Sequence, residues 1–393
     1  MRILFVNYEY PPLGGGGGLA MRSVAVELAK RHDVHVLTSG APDQKREETE
    51  DGVQICRAPV LLRSQRSVAS VPSMLSFWPS GVRSARSSLG DLDFDLINSW
   101  FAVPSGPIGR HAARQFDVPQ VLTLAGGDIY DPSKWYAPNR NPVLGHFVKG
   151  VLRAADRTVA VSSDVSNRAQ LLYDYNEPID VIPLGVDEPV ATPVGRDVLG
   201  WDKNGIYIVS VGRLVKRKNL HVLIQALSKL SNQNVHLVII GDGPQHHSLE
   251  DLARRKGIDA RVHFTGFVPD TIRTQMLTNA NVFALTSLHE AFGLVYVEAM
   301  HAGLPVIASQ PGGQEDYLTQ GKTGYLLPPE DIDGLVAALS RLVENPQLRA
   351  KMGAYNQKLA KSYSVAHTAV RYERLFEEIL TQNAAQKAET FIT

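Results

Sequence analysis

Short runs of apolar residues, each closed by a polar or glycine-containing turn and followed by a stretch of helical spacing, recur along the 393-residue chain. Ile3 to Val6, Phe94 to Asn98, Val121 to Leu124, Thr158 to Val161 and Ile179 to Pro183 are such runs in the first half. Ile206 to Val211, Val235 to Ile240, Val262 to Thr265, Val282 to Leu285, Pro305 to Ala308 and Gly324 to Leu327 follow in the second. Strands that alternate with helices over short connections build parallel sheets, so the pattern predicts an α/β protein. The clearest unit is residues 281–309, NVFALTSLHEAFGLVYVEAMHAGLPVIAS: strand, polar turn from Thr286 to Glu290, helix from about Phe292 to Ala302, strand. Near the amino terminus, Ile3 to Val6 leads through a loop from Asn7 to Gly18 into a helix expected from about Leu19 to Arg31.

The halves are separated by VIPLGVDEPVATPVG, with three prolines in fifteen residues, which places a linker near Asp187 to Arg196. Length supports two domains, 1–188 and 189–364. The last long helix, from about Val365 to Leu380, is expected to cross back so that 365–393 joins the first domain, while the polar end TQNAAQKAETFIT frays.

Composition narrows the function. Forty basic and forty acidic residues cancel, so nothing global points to nucleic acid. The single cysteine, Cys56, excludes an internal disulfide or a cysteine-rich metal site and fits a reducing compartment. MRILFVNYEYPP reads as a first strand rather than a signal peptide, and no apolar run reaches the ~20 residues of a membrane span. The expected location is the cytoplasm, or the surface of the cytoplasmic membrane. Arg57 to Gly90 carries five arginines, no carboxylate, and Leu61, Leu62, Met74, Leu75, Phe77 and Trp78 between them. That mixture suits adsorption to an anionic bilayer and equally a solvated helical hairpin.

Candidate chemistry sits at the strand ends, where open α/β sheets bind ligands. Glu290 lies in the turn after Val282 to Leu285, and Glu298 lies eight residues on, in an otherwise apolar helix. Between them the amides of Phe292, Gly293 and Leu294 open the helix without intrahelical partners, a natural anion site. Arg213 and Lys218, five apart after Ile206 to Val211, place cations at a helix amino end, where an anion is needed to accommodate them. Gly14 to Gly18, including Gly15, Gly16 and Gly17, form a loop that lets backbone amides approach a phosphate or sugar. Gly15, Gly17 and Ala20 satisfy G-x-G-x-x-A, but no acid closes the second strand, so a dinucleotide site is not indicated. Asp93 and Asp95 begin a strand rather than end one and read as structural, not as a metal pair.

The string HEAFGLVYVEAMHAGLPVIAS resembles the signature of the family 4, group 1 retaining glycosyltransferases. The resemblance is strong from Val209 to Leu327, taking in GRLVKRKN at Gly212 and GGQE at Gly312, and looser before Asp187, where PPLGG at Pro11 and TLAGGD at Thr123 carry it. It implies the GT-B arrangement, two Rossmann-like parallel-sheet domains facing across a cleft. It also implies a nucleotide-diphospho-sugar donor, UDP- or GDP-linked, a glycan or lipid-linked acceptor, and no metal or other cofactor. Position by position, Glu290 would contact the sugar, the amides of Phe292 to Leu294 the diphosphate, Glu298 the ribose, and Arg213 and Lys218 the departing phosphate. Gly241 would line the site, Phe267 and Val268 would lie against the base, and Gly15 to Gly17 would reach towards donor and acceptor. Ala125 stands where the family carries a histidine near the reacting carbon, which leaves Asp128 as the candidate for acceptor or sugar contact. Two other readings fit the same architecture: a nucleotide-sugar 2-epimerase, and a donor-binding protein that has lost transfer.

Overall fold

The computed structural model describes residues 1–63, 70–135, 137–190 and 192–392. The chain divides into two compact units, Met1–Gly185 together with the residues from Val365 onward, and Val186–Ser364.

In the first unit, β1 (Arg2–Asn7), β2 (Asp33–Gly40), β3 (Glu47–Glu50), β4 (Val53–Pro59), β5 (Leu96–Trp100), β6 (Gln120–Leu124), β7 (Arg157–Ala160) and β8 (Ile179–Val181) form one sheet. Its order is β3-β4-β2-β1-β5-β6-β7-β8. All neighbours are parallel except the edge pair β3 and β4. Every residue of β5 and β6 is buried, as expected for central parallel strands covered by helices on both faces. On one face Leu4, Val6 and Ile97 pack with Phe77 and Ile108 from the helices Val71–Ser87 and Ser105–Phe116. Trp100 stacks on Tyr372 of the carboxyl-terminal helix at 6.0 Å between ring centres. That helix runs from Val365 to Ile392, so the end expected to fray continues the helix. Ala384, Ala385, Gln386 and Lys387 are good helix formers, and Lys387 Nζ donates to the Asp117 carboxylate at 2.6 Å.

In the second unit, β9 (Ile206–Val211), β10 (Val235–Ile240), β11 (Val262–Gly266), β12 (Val282–Leu285), β13 (Val306–Ser309) and β14 (Gly324–Leu327) lie in the order β11-β10-β9-β12-β13-β14. All are parallel.

Each order contains one point at which the chain stops adding strands on one side of the sheet and starts adding on the other. These points are β9 beside β12 in the second unit and β1 beside β5 in the first. Helices leave in opposite directions there, and the crevice between the two loops is where doubly wound sheets take ligands. The loop after β9 carries Arg213 and Lys218, and the loop after β12 carries Glu290. The loop after β1 carries the glycines, and the loop after β5 begins at Phe101.

Candidate active site

In the second unit the turns after β9 and β10 touch. Gly212 (φ 154°) and Gly241 (φ 129°) both occupy the region that favours glycine, and a Cβ on Gly241 would stand 2.1 Å from the Gly212 carbonyl oxygen. The loop after β9 ends at Asn219 (φ 53°), whose carbonyl accepts from the Thr286 hydroxyl at 2.9 Å. Leu288 N donates to Arg217 O at 2.8 Å, so the two loops at the switch point are stitched together. That stitching delivers Lys218 Nζ to Glu290 Oε1 at 2.6 Å, and the Ser287 hydroxyl donates to the same oxygen at 2.6 Å.

Glu290 is buried and Lys218 largely so. Burial alone would raise the Glu290 carboxyl; the charges of Lys218 and Arg217, with the bonds from Lys218 and Ser287, instead hold it at about 2. Burial draws the Lys218 ammonium below its ordinary value while Glu290 opposes the shift. With the carboxyl that low, Glu290 is ionised at neutral pH. Arg213, exposed on the same loop, adds positive charge close enough to act on Lys218.

The helix expected from Phe292 begins at Leu294, because Gly293 is left-handed (φ 86°) and a Cβ there would meet the Tyr296 ring at 2.4 Å. Phe292 is buried against Tyr317 at 5.1 Å, and the Tyr317 hydroxyl donates to Phe292 O at 2.6 Å. Glu298, on the second turn, meets Arg273 of the helix Asp270–Asn279, with Nε 3.0 Å from Oε2. Burial raises its carboxyl, and the Arg273 charge pulls the other way. Phe267, for which core packing and a platform for a base were both open, is 85 % exposed; the core alternative is excluded. Val268 beside it is half-buried. Lys218, Glu290 and the Phe292–Leu294 turn are therefore held together, with Glu298 further along the same helix.

In the first unit the helix after the glycine loop starts at Gly16, not Leu19, with Gly15 as its cap. The glycines answer to close contacts rather than to open space. Glu9 Oε2 accepts from Gly15 N at 3.0 Å, a Cβ on Gly18 would stand 2.7 Å from Glu9 O, and one on Gly17 would meet the Phe101 ring at 2.6 Å. The helix amino end thus already holds a carboxylate of this chain. Phe101 itself has φ 72°, which is strained for a bulky side chain. Its neighbour Ala102 donates its amide to Asp128 Oδ2 at 2.6 Å, while Oδ1 has no hydrogen-bond partner among the described residues. Burial pushes the Asp128 carboxyl up to about 6, although the amides of Ala102 and of the 125–128 turn act the other way.

The basic stretch from Arg57 to Gly90 is corrected in part. Arg57 lies in β4, is buried, and bonds the Glu48 carboxylate at 2.6 Å; Arg63 is buried with its guanidinium 4.5 Å from the Tyr8 ring centre. Phe77 is core. Arg66 lies outside the described residues. What faces outward is Val71, Leu75 and Trp78 on the helix, with Leu61 and Leu62 before it, and Arg83 and Arg86 further on.

Sequence reasoning missed Ser287, Arg273, Tyr317, Glu9 and Phe101. Only the serine, three residues from Glu290, carried a local signal.

Comparison with known proteins completes the picture. Residues 14–188 match the family described as Glycosyltransferase Family 4, and residues 193–359 match Glycosyl transferases group 1. The GDP-mannose-dependent alpha-(1-6)-phosphatidylinositol monomannoside mannosyltransferase of Mycolicibacterium smegmatis is 26 % identical over 89 % of this chain and 91 % of its own. Sucrose-phosphate synthase from Thermosynechococcus elongatus superposes with a TM-score of 0.86 at 22 % identity, covering 97 % of this chain and 99 % of its own. HepE of Anabaena, solved with UDP and glucose, gives 0.78 at 22 % identity, covering 96 % and 100 %. The two matched regions and the two parallel-sheet units agree: the chain is a glycosyltransferase of the GT-B fold and belongs to family 4, group 1.

Proposed function

We propose that this enzyme moves a hexose-type sugar, with retention of configuration, from a UDP- or GDP-sugar to a glycan or lipid-linked acceptor in cell-surface polysaccharide or glycolipid synthesis. The observation that carries the reading is the buried Lys218–Glu290 ion pair at the switch point of the second unit, next to the amides of Phe292 to Leu294. Lys218 and Arg213 would take up the charge that grows on the diphosphate as the glycosidic bond breaks, and Glu290 would hold the sugar. Glu298, oriented by Arg273, would accept from the ribose. Bond breaking would lead bond making on one face, the departing phosphate receiving the acceptor's proton, so neither a protein nucleophile nor a metal is required. Solved HepE structures hold UDP, glucose and UDP-glucose, and the mycobacterial relative is named for GDP-mannose; both nucleotides stay in the proposal. Among the described residues no helix is long and apolar enough to cross a membrane. We place the enzyme in the cytoplasm, with a peripheral membrane contact through Val71, Leu75 and Trp78.

The test is thermal stabilisation by UDP, GDP, ADP and their sugar conjugates. One nucleotide family should stabilise selectively, by about 2.7 kcal/mol at a hundredfold excess over Kd, and both Glu298→Ala and Arg213→Ala should abolish most of that gain. Stabilisation by none of them would remove the donor reading.

Phe267 provides a separate check. Phe267→Ala should leave the melting temperature within the small range typical of an exposed site, about 0.5 kcal/mol. It should weaken binding of the preferred nucleotide by about 1 to 3 kcal/mol, since a lost aromatic face is lost stacking. Unchanged affinity by calorimetry would take Phe267 out of the site.

A further inference from the structure

We infer that Tyr317 is a positioning residue that aims the amides of Gly293 and Leu294 at the donor's diphosphate; the inference rests on the reading of that turn given above. Tyr317 is 4 % exposed and lies between Phe292 and Tyr363, 5.1 and 5.2 Å between ring centres. Its hydroxyl reaches two successive carbonyls, Phe292 O at 2.6 Å and Gly293 O at 3.1 Å.

The geometry of the peptide unit gives those bonds a directional consequence. In a trans peptide the C=O of one residue and the N–H of the next share a plane and point in opposite directions. Holding the Phe292 carbonyl turned inward therefore turns the Gly293 N–H outward, and holding the Gly293 carbonyl does the same for the Leu294 N–H. These are two of the three amides that open the helix Leu294–His301 without intrahelical acceptors. A carbonyl that accepts a hydrogen bond also makes the N–H of its own peptide a stronger donor, so the phenol both orients and polarises the pair. The turn needs such a clamp. Gly293 is left-handed at φ 86°, and glycine loses more freedom on ordering than any other residue. The Gly293 carbonyl also accepts from Tyr296 N at 2.9 Å. The single hydroxyl proton, shared between the two carbonyls, therefore acts chiefly on the Phe292–Gly293 plane and supports the second, which the ring alone could pack but not orient.

Tyr317→Phe keeps the ring and removes the hydroxyl; Tyr317→Met is a second hydroxyl-free variant that fills the space flexibly. Calorimetry on the full chain would compare UDP and GDP with UMP and GMP. The preferred diphosphate should bind about 3- to 10-fold more weakly to both variants, the range for one lost hydrogen bond, with the monophosphate changed by less than about 2-fold. Equal weakening of both ligands, no weakening, or loss of fold in both variants would make Tyr317 a packing residue and overturn the inference. A wild-type enzyme that prefers no diphosphate over its monophosphate would instead remove the diphosphate reading of the turn.

Discussion

Lys218→Met is expected to lower kcat/KM by about 10²- to 10³-fold, the loss typical when one preorganised cation or donor is withdrawn from developing charge. The same change should destabilise the second unit by about 3 to 5 kcal/mol, because it strands the buried Glu290 carboxylate. Low activity could then be mistaken for poor folding, and the double variant Lys218→Met/Glu290→Gln separates the two. With no unpaired buried charge left, it should recover most of the stability and none of the activity. The pH dependence gives an independent sign. The Glu290 carboxyl is held at about 2 in the folded chain against an ordinary 4.5. Its contribution is therefore fully present above 4.5 and is lost as pH falls towards 2. Without the Lys218 charge burial drives the carboxyl upward, so the acid-induced loss should shrink or reverse in the single variant and vanish in the double. Activity retained within about 5-fold in Lys218→Met would show that the ammonium is structural and that phosphate charge is met elsewhere.

Much of this site could be read from the residues because its parts are local. Glu290, the Phe292–Leu294 amides and Glu298 lie on one strand-turn-helix segment, and the strands β9, β10, β12 and β14 fall where apolar runs place them. The misses have tertiary causes. Glu47–Glu50 is a fully polar edge strand, so no apolar pattern marks it, and Arg57 looks solvated until β3 brings Glu48 against it. Five glycines read as a loop because glycine is a poor helix former, yet Gly16 to Gly18 start the helix, and at Gly17 and Gly18 Phe101 and Glu9 pack too closely for any side chain. Arg273 is 25 residues from Glu298, and Tyr317 is 25 from Phe292; pairings at that separation follow from sheet order and not from spacing.

Asp128→Asn is expected to stabilise the first unit at neutral pH and to impair transfer. The folded chain keeps this carboxyl protonated up to about 6, against an ordinary 3.8. Between those values the folded state binds a proton that the unfolded state has released, so stability falls as pH rises from 3.8 to 6, by about 3 kcal/mol at 1.36 kcal/mol per unit. Asparagine retains an oxygen for the Ala102 amide and carries no charge to bury, so the variant should gain about 1 to 2 kcal/mol at pH 7.5 and lose the pH dependence. Hydrogen exchange on peptides covering β5 and β6 would register both changes. A chain that keeps a half-partnered carboxylate in its interior, beside a phenylalanine at φ 72°, holds two costly features at one strand end. The return on them should be chemical: on the proposal that the acceptor lies at this strand end, where Ala125 offers no imidazole, Asp128 would accept a hydrogen bond from its hydroxyl while the departing phosphate takes the proton, and kcat/KM should fall at least about tenfold in the variant. An Asp128→Asn enzyme that transfers sugar normally would leave the carboxylate as a turn residue bonded to Ala102, and would move acceptor recognition away from the end of β6.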